Sequence, residues 1–451
     1  MEGRLTEKEI ALAQRCIRFA REAGAAAARI TLNKSLTNLV GMLSGEVDKV
    51  SRSLDRNLTV HLFVDGRFGS FSINRLDDED VVRDFILDAA ETVRMMAEEP
   101  CRRLPDAARK VQDAVSGTEA GLFDPAYASL DPSIRLEMAR KSSLWGRREK
   151  LEKGFTLLSE EGEYSDSIDD TLILDSDGLR CRHTETSFEI GYEITVADAD
   201  GNRFSGYWWD ATSRLDALLP SLENCSETAL EQAAAQIGPQ SHPGGKINIA
   251  VRSECTSKLL NPILNALGGY SLQQSNSFLL DSIGKKLFSE RLTVRDFPRH
   301  KGEMGAKWFD SEGVATADSV IIEKGVVKRY FINTFISGKT GLSPTVEDPN
   351  HPVVESTGDC TTEADVLRLL GDGILVTGFN GGNSNSATGD FSYGIEGFAF
   401  RDGRITHPVR EMLMTGNFLT LWQHLAFAAD DARPCRTRSI PTLGFTDVEV
   451  R

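Results

Sequence analysis

The chain has 451 residues, and its 51 Lys and Arg residues against 67 Asp and Glu residues give a formal net charge of −16. Hydrophobic residues make up 40% of the sequence and charged residues 26%, which excludes a largely disordered chain. So much negative charge repels phosphate groups, so general binding to nucleic acids or anionic membranes is disfavoured, although a local basic patch is not excluded. The length corresponds to roughly two to four domains.

The cysteines are odd in number and include no Cys-x-x-Cys pair. They are Cys16, Cys101, Cys181, Cys225, Cys255, Cys360 and Cys435. This pattern favours reduced, mostly buried thiols over a disulfide framework or a structural zinc site. The amino terminus lacks the apolar core of a secretion signal, and no apolar run approaches the ~18 residues of a membrane span. We therefore expect a soluble cytoplasmic protein.

The first part of the chain predicts a helix, antiparallel strands and a second helix. Residues 6–25 have helical spacing of apolar side chains, with Thr6 as the capping residue. Alternation with a period of two over residues 29–74, with the turn signal Asp65-Gly66, predicts a hairpin. Residues 76–98 return to helical spacing.

The next part of the chain repeats this order. Residues 133–153 and 215–237 are predicted to be helical, and residues 175–210 to form long strands. The segment Asp65-Gly66-Arg67-Phe68 recurs with a one-residue gap at residues 200–204. Such a short match leaves both a duplication and chance open. The charge run formed by Glu160, Glu161 and Glu163 is predicted to be a solvated hairpin end.

The remainder of the chain, after a linker-like segment at 238–245, is rich in glycine and turns. We predict strands at 247–251, 319–322, 326–331, 374–376 and 397–400, and helices at 255–267, 362–370 and 415–427. The fold class is therefore α+β: an amino-terminal helix/antiparallel-sheet/helix region with a repeated order, followed by a β-rich α+β carboxy-terminal domain. The predicted domain ranges are 1–115, 116–238 and 246–451.

Several familiar catalytic patterns fail on inspection. Gly338-Lys339-Thr340 resembles the end of a phosphate-binding loop, but Asn333 stands where that loop needs glycine. No two histidines lie three to five residues apart, so no helical two-histidine zinc site can form. A metal site built from distant residues, such as His407, His424 and Cys435, stays open as an alternative.

The carboxy-terminal half contains a series of short segments whose order and spacing resemble the TldD/TldE (PmbA) family, once described as modulators of DNA gyrase. The segments are Ser275-Asn276-Ser277-Phe278, Gly284-Lys285, Leu292-Thr293-Val294-Arg295-Asp296, Phe309-Asp310-Ser311-Glu312-Gly313-Val314, Ile321-Ile322-Glu323-Lys324-Gly325-Val326, Thr388-Gly389-Asp390-Phe391-Ser392-Tyr393-Gly394 and Pro408-Val409-Arg410. The resemblance covers nearly the whole chain and is strongest from about Tyr270 onward.

The family that this sequence resembles has two branches. TldD-like members are zinc metallopeptidases with a His-Glu-x-x-x-His helix just before the Ser-x-Phe segment and a cysteine near the carboxy terminus. TldE-like members lack the helix motif and pair with TldD. Here the corresponding helix, 255–267, contains no His or Glu, and counting back from Phe278 without gaps puts the family's ligand positions near Leu259 and Leu264. Cys435 lies roughly where the family's cysteine would fall, but one thiolate does not hold a catalytic zinc.

The resemblance therefore implies a TldE-like subunit of a zinc metallopeptidase complex that processes unfolded or flexible peptides. It implies no catalytic, cofactor-binding or metal-binding residue in this chain, zinc in a TldD-like partner, and a homodimer in isolation. From the charge and the lack of a long apolar run, we expect neither membrane binding nor direct nucleic-acid binding. Two alternatives remain open: an autonomous metallopeptidase with a non-standard metal site, and a protein-binding regulator of DNA gyrase. Candidate peptide-groove residues, which could equally be turn and core residues, are Ser275, Asn276, Ser277, Phe278, Asp310, Glu312, Gly313, Gly389, Asp390, Phe391 and Ser392.

Overall fold

The computed structural model describes residues 1–146 and 154–451, which form two compact units. The first unit consists of Met1–Ala234, Arg299–Thr316 and Asn333–Val346. The second consists of Ala235–Pro298, Ala317–Ile332 and Glu347–Arg451. The three domain ranges drawn from the sequence stay a prediction.

The first half of the first unit has the predicted order. Its elements are α1 (Glu7–Glu22), β1 (Ala27–Leu43), β2 (Glu46–Val64), β3 (Arg67–Ile73) and α2 (Glu79–Arg94). The Thr6 hydroxyl accepts a hydrogen bond from the Glu9 amide at 3.3 Å, and the Glu9 carboxylate accepts one from the Thr6 amide at 2.7 Å. This capping box begins α1 where the sequence predicted it.

The same order then occurs a second time. The elements are α3 (Pro132–Ser142), β4 (Thr156–Asp175), β5 (Arg180–Ala197), β6 (Arg203–Thr212), α4 (Leu215–Leu218) and α5 (Ser221–Ala235). All six strands form one sheet in the order β3-β2-β1-β4-β5-β6, in which β1 pairs antiparallel with β4. The predicted α+β class with a repeated helix–sheet–helix order is confirmed. Residues 147–153 of the predicted helix 133–153 lie outside the described residues.

Strand β4 begins at Thr156, nineteen residues before the predicted start. Its pattern was missed because its buried face carries Glu160, Asp166 and Asp170 among apolar residues. The side chain of Glu160 is 0% exposed. Its carboxylate accepts hydrogen bonds from the Ser143 hydroxyl at 2.5 Å and the Leu144 amide at 2.8 Å. The prediction of a solvated hairpin end at Glu160 is therefore wrong, because these donors replace water around the carboxylate.

The second unit is richer in strands. Its elements are β7 (Gly245–Val251), α6 (Ser257–Ala266), α7 (Gly269–Gln273), β8 (Val294–Asp296), β9 (Ser319–Glu323), β10 (Val326–Val327), β11 (Pro352–Val354), α9 (Glu363–Leu370), β12 (Gly373–Ser384), β13 (Asp390–Arg401), β14 (Arg404–Asn417), α10 (Phe418–Gln423), β15 (Leu425–Ala428) and β16 (Leu443–Val450); α8 (Thr334–Thr340) belongs to the first unit. The larger sheet has the order β14-β13-β12-β7-β16-β15, and β14 also pairs with β16. The smaller sheet has the order β10-β9-β8-β11.

The predicted helix at 415–427 is mostly wrong. Residues up to Asn417 continue β14, α10 occupies only six residues, and β15 begins at Leu425. The Asn417 side chain caps α10 by accepting a hydrogen bond from the Leu419 amide at 3.0 Å. The residues on both sides of α10 belong to strands β14 and β15, so the helix is limited to the six residues between them.

All seven cysteines are thiols, and five of them are buried, in agreement with the prediction from their spacing. Burial raises the pKa of Cys16 to about 12, because the thiolate loses its hydration inside the first unit.

The helices are of modest length. Helices α1 and α2 have 16 residues each. Within residues 1–146 and 154–451, no helix combines the length and the apolar character needed to cross a lipid bilayer.

Candidate functional site

Helix α6 occupies the position at which the family resemblance expects metal ligands. Leu259 is 0% exposed and Leu264 is 4% exposed, and both lie on the buried face of the helix. Zinc in proteins takes nitrogen, sulfur or oxygen ligands. The buried face of α6 supplies none of these atoms, and the helix therefore does not fit a zinc site of the TldD type.

The alternative metal site from distant residues also lacks a cluster of ligands. Nδ1 of His424 lies 3.1 Å from the Thr446 carbonyl oxygen, and Nδ1 of His407 lies 3.1 Å from the Thr406 hydroxyl. Among the described residues, no group of three or more His, Cys, Asp or Glu side chains is placed to hold a metal ion. His407, His424 and Cys435 are thus not assembled into one site.

Two of the three predicted groove stretches come together in the second unit. The Phe278 amide donates to the Ser386 carbonyl at 3.1 Å, just before Gly389. The Phe278 ring stacks on Phe418 with a centroid distance of 6.0 Å, and Phe391 stacks on the same ring at 4.8 Å. The stretches 275–278 and 389–392 therefore share one aromatic cluster centred on Phe418.

The exposed polar groups of this region lie beside that cluster. Ser275, Asn276 and Asp390 are exposed, whereas Ser277 is buried and donates from its hydroxyl to the Ala266 carbonyl at 2.6 Å. The Asp390 carboxylate accepts hydrogen bonds from the Asn417 amide at 2.9 Å and the Thr388 hydroxyl at 2.7 Å. These bonds, that from Asn417 first, hold the pKa of Asp390 below its usual value. Among the predicted groove residues of these two stretches, the exposed polar side chains that a ligand could contact are thus those of Ser275, Asn276 and Asp390.

The third predicted stretch lies in the first unit and builds a turn. One oxygen of Asp310 accepts hydrogen bonds from the amides of Glu312 and Val314, both at 2.9 Å. The Glu312 carboxylate accepts one from the Thr334 amide at 2.8 Å. Gly313 has a φ of +78°, and an added Cβ would lie 2.2 Å from Leu179. These residues serve the turn, and the substrate contact predicted for Asp310, Glu312 and Gly313 stays a prediction.

Comparison with known proteins places this architecture in a family. Three family models match in chain order: PmbA/TldA metallopeptidase domain 1 at residues 28–97, the central domain at 127–237 and the C-terminal domain at 244–451. A Bacteroides thetaiotaomicron structure, named a modulator of DNA gyrase, is 34% identical, has a TM-score of 0.92 and covers 99% of each chain. The chain belongs to the PmbA/TldD metallopeptidase family. The resemblance seen in the sequence is confirmed.

Two further relatives extend the comparison within the PmbA/TldD family. Metalloprotease PmbA of Escherichia coli O157:H7 is 24% identical over 404 residues, which cover 90% of this chain and 87% of that protein. The structure of TldE from Thermococcus kodakarensis has a TM-score of 0.84 at 20% identity and covers 97% of this chain and 99% of that one. At that identity the likeness to TldE shows the shared fold.

Asn417 and Phe418 organise this region of the PmbA/TldD fold, but neither residue was predicted from the sequence as part of a site. Both fell within the predicted helix 415–427, so neither was considered as a partner of Phe278 or Asp390. The only local signal is Asn417 itself, because asparagine is one of the residues preferred at a helix N-cap.

Replacing Gly389 with alanine should destabilise the aromatic cluster. Gly389 has a φ of +81°, and an added Cβ would lie 3.0 Å from the Phe278 ring. We expect Gly389→Ala to lower the free energy of unfolding by about 2 kcal/mol, from backbone strain and ring displacement together. Urea unfolding followed by circular dichroism measures the loss.

Gly381→Ala is the matched control, because Gly381 has a φ of +89° and no atom within 4 Å of an added Cβ. It should cost only the backbone strain, about 1 kcal/mol. If both variants lost the same free energy of unfolding, the close approach of Gly389 to the Phe278 ring would not contribute to the effect.

Proposed function

We propose that this protein is the TldE-like, non-catalytic subunit of a two-chain zinc metallopeptidase that processes unfolded or flexible peptides. The observation that supports this role is the apolar face of α6, where Leu259 and Leu264 are buried. Metal-assisted hydrolysis needs an ion with an open coordination position and a general base beside it. Leucine side chains provide neither the ligands nor the base, so a TldD-like partner has to supply the zinc.

In this proposal the chain contributes to substrate binding. The exposed Ser275, Asn276 and Asp390 next to the Phe418 cluster are the groups we assign to peptide contact. An extended peptide held mainly through its backbone is bound with little regard to its side chains. This mode of binding suits a broad range of unfolded substrates.

Reconstitution with a TldD homologue tests the proposal. We expect the purified chain, incubated with zinc, to leave casein intact, and a mixture with the homologue to cleave it. The homologue alone should be much less active than the mixture. A homologue whose two helix histidines are replaced by alanine is the control, and its mixture should be inactive. Cleavage of casein by this chain alone would overturn the proposal.

Zinc content and partner capture distinguish the two alternatives. Elemental mass spectrometry should find far less than one zinc ion per isolated chain. A ratio near one that is lost in Cys435→Ser would favour an autonomous metallopeptidase. Capture of gyrase subunits without a TldD homologue would favour a gyrase regulator.

A further inference from the structure

A cleft of about 450 Å³ lies at one end of the larger sheet of the second unit. It is formed where β7 and β12 begin and β13 ends, and its lining includes His242, Lys246, Asp372, Arg401 and His407. A cleft of this size can enclose a small molecule. Sequence patterns do not predict this cleft, because its lining residues are far apart in the chain.

The cleft is distinct from the proposed peptide-binding region. Strand β13 begins at Asp390, beside the Phe418 cluster, and ends at Arg401, in the cleft. At the rise of a β-strand its twelve residues separate the two places by roughly 35 Å. A ligand in the cleft would therefore not touch the peptide contacts proposed above.

The charges that line the cleft favour an anion. Lys246 and Arg401 are exposed, and neither forms an ion pair with any residue in the described part of the chain. Asp372 is the one carboxylate among the lining residues that the structure describes. One of its oxygens already accepts a hydrogen bond from the Asp402 amide at 2.8 Å. The two cations thus outnumber the single carboxylate, and a negatively charged ligand would balance them.

The His242 ring adds a hydrogen-bond donor to the cleft, and a backbone contact determines which of its two nitrogens carries the proton. The Gly244 amide donates to Nδ1 of His242 at 3.2 Å, and a backbone N–H can act only as a donor. Nδ1 is therefore unprotonated, and the proton of the neutral ring is on Nε2. Burial, and then the neighbouring His407, lower the pKa of His242, which favours this neutral form.

Part of the cleft lining is held in place by side-chain hydrogen bonds from Asn248, which lies two residues after Lys246 on β7. Nδ2 of Asn248 donates to the carbonyl oxygens of Leu370 at 2.9 Å and Asp372 at 3.2 Å. These bonds tie the start of β7 to the segment before β12. This part of the lining is thus fixed before any ligand arrives, which reduces the entropic cost of binding.

We propose that this cleft binds a small anion that carries a phosphate or carboxylate group, with Lys246 and Arg401 balancing its charge and Nε2 of His242 donating a hydrogen bond to it. Phosphate and carboxylate groups share the geometry that a guanidinium group binds through paired N–H donors. The proposal is independent of the subunit role proposed above.

Titration of the full-length chain tests the proposal. The ring signals of ¹³C-labelled histidines are followed by NMR near neutral pH while inorganic phosphate, the tripeptide Ala-Ala-Ala or its carboxy-terminal amide is added at constant ionic strength. His242→Gln and His407→Gln assign the two signals. We expect saturable shifts of both signals with phosphate, with the free-acid tripeptide, or with both, and none with the amide. Phosphate alone would identify a phosphate ligand, and the acid alone a carboxylate ligand.

Substitutions of single cations decide whether the cleft is the site. Arg401→Gln and Lys246→Gln should each weaken binding about tenfold, as expected for the loss of one charge-assisted contact. Lys285→Gln is the matched control, because Lys285 is an exposed lysine of the same unit outside the cleft and should leave the affinity unchanged. The absence of saturable shifts with both anions, or equal weakening in the control, would overturn the proposal.

Discussion

Asp170→Asn should lower the free energy of unfolding by about 3 kcal/mol or more, because it leaves a mostly buried arginine without its counter-ion. Asp170 lies on the buried face of β4 and is 1% exposed. Its carboxylate accepts hydrogen bonds from Nε of Arg182 at 2.8 Å, the Leu5 amide at 2.9 Å and the Thr184 hydroxyl at 3.0 Å. Asparagine keeps the shape of the side chain but removes the charge that Arg182, with 13% of its side chain exposed, requires.

Asp169→Asn is the control for this prediction, because Asp169 is the adjacent residue on the opposite face of the same strand. Burial raises the pKa of Asp169, so its charged form is disfavoured in the folded protein. Removal of that charge should change the free energy of unfolding by less than about 1 kcal/mol. Urea unfolding of both variants, followed by circular dichroism, provides the comparison. If Asp170→Asn and Asp169→Asn lowered the free energy of unfolding equally, the ion pair between Asp170 and Arg182 would contribute little to stability.

Acidification from about pH 7 to about pH 5 should cost about 2 kcal/mol of stability through His61 alone. Burial, and then the charges of Arg29 and Arg102, lower the pKa of His61 from 6.5 to about 3. Its ring stacks on Phe68 with a centroid distance of 5.9 Å. The unfolded chain takes up a proton near the ordinary pKa, whereas the folded chain does not. The contribution of His61 is therefore complete above about pH 6.5 and is lost as the pH falls towards 3, at about 1.4 kcal/mol per unit.

The variant His61→Phe separates this contribution from other acid effects. Phenylalanine can keep the stacking with Phe68 but cannot titrate, so the loss of stability on acidification should be about 2 kcal/mol smaller than in the unmodified chain. An NMR titration in which the His61 ring protonates near pH 6 would refute the explanation.

Much of the fold follows from local patterns in the sequence. Thr6 and Glu9 mark the start of α1 because both partners of a capping box lie within one helical turn. The hairpin at Asp65-Gly66 was predictable for the same reason, since a tight turn depends on the residues within it. The apolar positions of α6 were also predictable, because Leu259 and Leu264 can be read directly from the sequence without knowing which distant residues they contact.

The sequence by itself determined the α+β class, the repeated helix–sheet–helix order, the family and the apolar character of the helix at which the family resemblance expects metal ligands. Only the tertiary structure decided that Glu160 and Asp170 are buried, that Phe278 meets Phe391 through Phe418, and that His242 and Arg401 line one cleft. The reason is that a buried carboxylate or a shared cleft depends on partners far away in the chain, and a pattern of neighbouring residues carries no information about which distant groups will meet.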